Sequence, residues 1–271
     1  VPVAADVYEL YAVRYGVDLS RPATANFIPV PGFEYPDSDS SLHLYVWVAV
    51  SGDRVVMIDG GAGEATARAR GFDYERNPIE SLRVLGIDPG DVGDVVVTHL
   101  HWDHAGNLRG LPGATVHLHP AEIAYATGPA MSHRYLRRPY DLGQIGDVVS
   151  LVHEGRVNFT DRGVTEVAPG LTVHPLGGHT PGMQVVRVPT ARGVVVVASD
   201  ARHYYANGET GVPFPVVVHM DDYCAASVEV DRMAESPDHV IAGHDPSVTA
   251  RYPAIAEDEL IVRLDVPPEG A

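Results

Sequence analysis

The run Thr98-His99-Leu100-His101-Trp102-Asp103-His104 constrains this chain more than any other segment. It follows Asp94-Val95-Val96-Val97, a buried-strand pattern, so the polar cluster stands where a strand ends and a loop begins. Three imidazoles and a carboxylate so close together are costly to bury unless a metal ion or hydrogen bonds satisfy them. In an extended segment, residues two apart project to the same side, so His99 and His101 can grip one ion together. The chain then turns, and Asp103 with His104 can face a neighbouring position. In α/β folds, ligands collect at the carboxyl ends of strands.

The same context recurs three times. Leu171 to His174 is a strand pattern followed by Gly177-Gly178-His179-Thr180-Pro181-Gly182. Gly193 to Ser199 is another, and it ends in Asp200. His239 to Ala242 is followed by Gly243-His244-Asp245. Four strand ends thus each deliver a metal-competent side chain, two of them introduced by glycine. Of the remaining histidines, His117, His119 and His174 read as strand or surface residues. His203 and His219 fall close enough to these ends to lie near a pocket.

Other β-rich runs are Leu42 to Val50, Arg54 to Ile58, Thr115 to Leu118 and Gln184 to Val188. The first two flank Ser51-Gly52-Asp53 and predict a hairpin. Pro78 to Leu85 is expected to be a helix, with Asn77 as its cap and proline at its first position. Asp222 to Glu235 places Tyr223, Ala226, Val230, Met233 and Ala234 on one helical stripe. Strands interleaved with helices predict an α/β fold, with helices covering sheet faces. Asn26 to Ser41 and Tyr204 to Pro215 are expected to be long loops, and such loops often form lids or walls. Phe27, Phe33 and Tyr35 would either line an apolar pocket or pack the first loop onto the body. No repeat, low-complexity tract or linker divides the chain, so a single domain over residues 1–271 is expected.

The formal charge of −17 comes from 36 acidic residues against 19 basic ones, all arginine. A field of that sign disfavours nucleic acid. The one basic segment, His133 to Arg138, reads as a solvated or salt-bridged surface helix. No apolar run approaches the length of a membrane span, and the opening residues do not read as a signal peptide. Cys224, the lone cysteine, excludes an intrachain disulfide framework and reads as a packing residue. A cytoplasmic setting is therefore the expectation, with a trimmed leader and the oligomeric state, a homodimer included, left open.

Together these residues resemble the metallo-β-lactamase superfamily signature of His-x-His-x-Asp-His followed by His, Asp and His. The resemblance spans about Leu42 to Asp245. It implies an αββα sandwich of two packed mixed β-sheets flanked by helices, with two metals at one edge. It further implies that His99, His101 and His179 hold one divalent ion, that Asp103, His104 and His244 hold the other, and that Asp200 bridges them. Asp59, in an Asp-Gly-Gly turn, matches the family's structural aspartate that orders the ligands from behind. Within the superfamily the chain is most similar to the N-acyl-homoserine lactonase branch, known for quorum quenching. The grounds are its length, its layout, the Gly-Gly-His179-Thr-Pro-Gly turn, and Ser199-Asp200-Ala201 followed by tyrosines. In that branch a tyrosine just past the bridging aspartate polarises the substrate carbonyl. Here His203 stands three residues past Asp200, and Tyr204 and Tyr205 follow as the candidates.

The expected reaction is the opening of a lactone, with N-acyl-homoserine lactones as the first candidates, by a hydroxide shared between two divalent ions. Asp103 would orient it and then pass a proton to the leaving alkoxide. Nitrogen and carboxylate donors without thiolate favour zinc, although manganese, cobalt or iron would fit the same shell. The alternative is hydrolysis of another ester, a thioester or a cyclic amide. The acidic C-terminus counts against a glutathione thioesterase. A non-catalytic binding or sensor protein is the remaining reading, and the complete ligand set argues against it.

Overall fold

The computed structural model describes residues 6–160, 163–256 and 258–269. Fourteen strands are formed among them: β1 (Glu9–Asp18), β2 (Leu42–Ser51), β3 (Arg54–Ile58), β4 (Asp73–Tyr74), β5 (Asp94–Val96), β6 (Thr115–Leu118), β7 (Val157–Phe159), β8 (Thr165–Ala168), β9 (Leu171–Pro175), β10 (Gln184–Thr190), β11 (Gly193–Ser199), β12 (Val240–Ala242), β13 (Ala254–Ile255) and β14 (Asp258–Arg263). The helices are α1 (Glu64–Ala69), α2 (Pro78–Val84), α3 (Pro120–Ala126), α4 (Arg134–Arg137), α5 (Leu142–His153), α6 (Tyr205–Thr210), α7 (Met220–Met233) and α8 (Ser247–Arg251).

Two mixed sheets result. The larger runs β13-β14-β1-β2-β3-β5-β6-β7, with β4 attached to β1, and the smaller runs β12-β11-β10-β9-β8. The β2–β3 hairpin forms where expected, pairing Ser51 with Arg54 across the Gly52-Asp53 turn. From β3 onward the larger sheet is parallel, as is the β11–β12 pair in the smaller one.

Alternation along β2 shows how the layers arise. Leu42, Leu44, Val46 and Val48 face a core shared with α2 and α5, where Ile79, Leu82, Ile145, Val148 and Leu151 are buried. Tyr45, Trp47 and Ala49 point the other way, into a second core against Val173, Val186, Val188, Val195 and Val197 of the smaller sheet. A third core lies on the outer face of that sheet, where Val230 of α7 meets Val185, Val196 and Val240. Because a strand's side chains alternate between faces, a strand buried on both sides reads as an unbroken apolar run. Fully burying each such aliphatic side chain is worth about 1.5–3 kcal/mol. Helix, sheet, sheet and helix are thus stacked in the expected αββα order.

Asn77 caps α2 as predicted, its side chain accepting from the Ile79 N–H at 2.8 Å. Several elements go beyond the sequence expectation, β1, α5 and α6 among them. β1 is a ten-residue strand with an irregularity between Arg14 and Gly16, and that break blurs its period. In α5, two glycines interrupt a helix that Asp141 caps through the Gln144 N–H at 3.1 Å. α6 lies inside the expected Tyr204–Pro215 loop. There the Asn207 side chain bonds the Tyr204 N–H, the Asn26 carbonyl and the Val212 carbonyl, fixing one helical turn from the tertiary side. Asn26 to Ser41 holds no helix or strand, and Phe27, Phe33 and Tyr35 cluster with one another at 5.1–6.0 Å between ring centres. Among the described residues no helix is long and apolar enough to cross a membrane.

Candidate metal centre

The site forms because four strand ends converge on one edge of the sandwich. β3 and β5 run parallel with Ile58 beside Val96, so the residues just past them, Asp59 and Thr98, become neighbours. Asp59 accepts from the Thr98 N–H at 2.7 Å, from the Thr98 hydroxyl at 2.9 Å and from His104 Nδ1 at 2.8 Å, with no solvent exposure. In the smaller sheet, β11 and β12 run parallel with Ser199 beside Ala242, which brings Asp200 and His244 together.

Two glycines permit these approaches. Gly178 has φ of 90°, and a Cβ there would stand 2.4 Å from the Tyr223 Cα on α7. A Cβ on Gly243 would stand 2.5 Å from the Ser199 carbonyl oxygen. A side chain at either position would force apart the backbone that carries His179 or His244.

His99, His101, His179 and Asp200 bring their donor atoms within 4.8 Å of one another, and so do Asp103, His104 and His244. Asp200 stands between the two groups. Its Oδ2 lies 3.1 Å from His179 Nε2 and 3.6 Å from His99 Nε2, while its Oδ1 lies 2.9 Å from His244 Nε2 and 3.3 Å from His104 Nε2. All seven residues of the sequence signature are therefore assembled.

The donor set fits divalent ions. His99 Nε2 and His104 Nε2 are buried without a hydrogen-bond partner, an arrangement that costs free energy unless something accepts their lone pairs. On His104 and His244 the other ring nitrogen is engaged: Nδ1 of His104 with Asp59, and Nδ1 of His244 with the His43 carbonyl at 2.8 Å. A carbonyl can only accept, so His244 Nδ1 carries the proton and Nε2 presents its lone pair inward. Such partners orient metal-binding imidazoles. His179 Nε2 and His101 Nδ1 lie 2.9 Å apart, close enough to share one ion or one proton.

The charges are strongly coupled. Burial pushes His99 and His101 well below the ordinary histidine range, aided by their histidine neighbours. Burial also opposes charge on His104, but Asp200, Asp103 and Asp59 outweigh it and hold its pKa well above that range. Asp200 is held well below the carboxylate range because His203, His244, His104 and His179 overcome its burial.

A cavity of about 300 Å³ opens onto the cluster, with His101, Asp103, His179, Asp200 and His244 in its floor. Leu42, Phe72, Trp102, Phe214 and Val216 supply apolar wall, so the segment after Asp200 does reach the site, whereas no residue of the Asn26–Ser41 loop does. The two tyrosines expected as carbonyl polarisers do not line this cavity. The Tyr204 hydroxyl donates to the Ser41 carbonyl at 3.1 Å, and its ring is packed in the core shared with the helices. Tyr205 turns toward the Arg251 guanidinium, 5.2 Å from its ring. His203 stands at the cavity instead, with Nε2 2.9 Å from Asp200 Oδ2 and its ring stacked on Phe214 at 3.7 Å. Burial lowers its pKa to about 3 despite the Asp200 carboxylate. His219 stands at the N-cap position of α7 without a side-chain capping bond and does not line the cavity, and Cys224, expected to pack, is exposed on that helix.

One contributor has no counterpart in the sequence reading. Glu122, on the first turn of α3, is fully buried and accepts from the Leu100 N–H at 2.9 Å and the Gly182 N–H at 2.7 Å. It ties the His99–His101 segment to the turn that carries His179. In sequence it looks like any acidic residue at a helix start, where the helix dipole favours one.

Comparison with known proteins agrees with this geometry. Residues 42–244 match the model of the metallo-beta-lactamase superfamily. The N-acyl homoserine lactonase AttM of Agrobacterium fabrum is 27% identical over 215 residues, covering 72% of this chain and 79% of that protein. A probable metallo-hydrolase of Mycobacterium tuberculosis is 25% identical over 238 residues, covering 77% of this chain and 76% of its own length. Among solved structures, an N-acyl homoserine lactone hydrolase with N-hexanoyl-L-homoserine bound at its catalytic metal center superposes with a TM-score of 0.69. It shares 19% identity over 92% of this chain and 96% of that one, which establishes a common fold. Carrying the family's match from Leu42 to His244, and its complete ligand-competent cluster at one edge of an αββα sandwich, the chain belongs to the metallo-β-lactamase superfamily and is a metal-dependent hydrolase.

Proposed function

We propose that the protein opens a lactone ring, with N-acyl-homoserine lactones as the leading substrate class, using two divalent ions. The observation that carries the two-ion reading is Asp200, whose two oxygens face two different groups of ligands. In this reading His99, His101 and His179 hold one ion, Asp103, His104 and His244 hold the other, and Asp200 serves both. Five imidazoles with two carboxylates suit zinc, and the same set would also take iron, cobalt or manganese. When bound, such ions supply a water-derived nucleophile near neutral pH and polarise a carbonyl oxygen.

The chain's own residues do the rest. Asp59 and the His43 carbonyl fix the tautomers of His104 and His244. Asp103 is the most exposed of the cluster carboxylates, its side chain 13% accessible, against 5% for Asp200 and none for Asp59. In this reading it takes a proton and returns it to the alkoxide oxygen released when the ring opens. Leu42, Phe72, Phe214 and Val216 offer an apolar wall to an acyl chain. The lactonase names of relatives such as AttM, covered across most of their length, support the same substrate class.

The test is proton release by the zinc-loaded protein on a panel of acyl-homoserine lactones and simple γ- and δ-lactones, with a chelated control. Metal-dependent opening is expected, with Asp103→Asn and His104→Ala each losing most of the turnover. Near-normal activity in both variants would sink the site assignment. Turnover of thioesters or cyclic amides but no lactone would sink the substrate class.

A further inference from the structure

The cavity is unusual in its charge. Acidic residues outnumber arginines 36 to 19 in this chain, and many arginines take up that excess. Arg14, Arg76 and Arg202, for example, lie within 3.0 Å of a carboxylate. Yet Arg21, Arg70 and Arg138 all line the cavity that opens onto the histidine–aspartate cluster, and among the described residues none of the three has a carboxylate within 4.0 Å.

Each is held by something other than a counter-charge. Arg21 lies over the Phe214 ring at 5.3 Å and donates to Asn26 and to the Ala25 carbonyl. Arg70 lies over Trp102 at 4.9 Å and donates to the carbonyls of Arg138 and Tyr140. Arg138 is exposed at the rim, against the Tyr135 ring at 5.5 Å, and its guanidinium makes no hydrogen bond among the described residues. Stacking on aromatic faces holds a guanidinium flat while leaving in-plane N–H groups free. Arg21 Nη1, Arg70 Nε and the whole fork of Arg138 remain available as donors. Arg70 is half-buried and feels Asp103 and Asp141 only from beyond ion-pair distance, so an anion in direct contact would offset the cost of holding it out of water.

We propose that these three arginines form a subsite for an oxyanion, a carboxylate or phosphate-like group, carried on the acyl portion of the substrate. This deepens the ring-opening reading and rests on it. An acyl-homoserine lactone with a plain alkyl tail uses only the apolar wall, whereas a tail ending in an oxyanion also meets the guanidinium forks, whose geometry suits bidentate contact.

Binding to the metal-free protein tests this, because it removes both hydrolysis and the attraction of the ions themselves. Calorimetry would compare N-hexanoyl-, N-(5-carboxypentanoyl)- and N-(5-phosphonopentanoyl)-homoserine lactone. The charged probes are expected to bind about 10- to 100-fold tighter than the hexanoyl one, the scale of a charge-assisted hydrogen bond. Whichever charged probe binds tighter identifies the anion. In Arg138→Gln, whose lost side chain supports no other contact but the Tyr135 ring, and in Arg21→Gln/Arg138→Gln, that ratio is expected to fall toward one. Equal binding of all three probes, no binding of any, or a preference that survives in the double variant overturns the proposal. Hydrolysis is read separately with the zinc-loaded protein. If no lactone opens there but the arginine-dependent preference stands, the ring-opening reading fails and the subsite remains.

Discussion

Glu122 is the residue whose substitution most directly tests how this site is held. Its carboxylate accepts the Leu100 and Gly182 N–H groups at 2.9 and 2.7 Å in a fully buried position. Glu122→Gln keeps one accepting oxygen but turns an NH₂ toward the second N–H, leaving a buried donor without a partner. That costs about 1–3 kcal/mol. Against it stands a relief, because burial raises the pKa of Glu122, meaning its charge is disfavoured where it lies. The net loss of stability should therefore be at the low end, about 1 kcal/mol, or roughly 2–4 °C in Tm for a chain of this size. Glu122→Ala removes both acceptors with no relief beyond the charge and should cost about 2–6 kcal/mol on the same scale. The site-specific effect is larger than the global one. The two anchored segments carry His99, His101 and His179, and losing a partner that orients metal ligands typically lowers affinity 10- to 100-fold. Competition with a chromophoric chelator should show two zinc ions per wild-type chain and one of them weakened by about that factor in Glu122→Gln. If zinc affinity in Glu122→Gln and Glu122→Ala stays within twofold of wild type at both sites, Glu122 does not position the ligands and the reasoning is refuted.

Other outcomes follow from the same geometry. Tyr204→Phe and Tyr205→Phe should each leave kcat/KM within about twofold, since neither ring lines the cavity, whereas His203→Phe should lower it about tenfold or more by removing the hydrogen bond to Asp200; a large loss in either tyrosine variant would reverse the assignment. Chelation should lower Tm, because ions present at 100 times their dissociation constant add about 2.7 kcal/mol each to the folded state, and differential scanning fluorimetry with and without zinc reads this directly. His43 is buried between Ser41 and Tyr45, and burial, with Arg14 nearby, lowers its pKa from 6.5 to about 4. Between those values the unfolded chain binds more protons than the folded one, so stability falls as pH drops from about 6.5 to about 4. The loss from this group is about 3 kcal/mol at 1.36 kcal/mol per unit. Urea denaturation of the metal-free protein at pH 7 and pH 4.5 should show it, and His43→Gln should flatten that slope; an unchanged slope would place the titrating group elsewhere.

What the sequence determined by itself is the local chemistry. Ligand type and spacing in His99–His104, and the placing of His179, Asp200 and His244 just past apolar strand patterns, are properties of short segments. A strand's period and a turn's composition survive without tertiary context. Asp59 and the Asn77 cap are legible for the same reason. The tertiary structure alone decided which side chains finally share the cavity. Tyr204, Tyr205 and His203 are consecutive, and nothing local says which one faces Asp200; that depends on the Ser41 carbonyl, Arg251 and Phe214, which come from distant parts of the chain. α6 exists because Asn207 finds Asn26 across 181 residues of sequence. Glu122 looks like an ordinary helix-start acid in sequence, and Arg138 like part of a surface basic run; what they do depends on burial in one case and on the lack of a direct carboxylate contact in the other. Burial and missing counter-charge are sums over many neighbours, so they are set only when the two sheets close on each other.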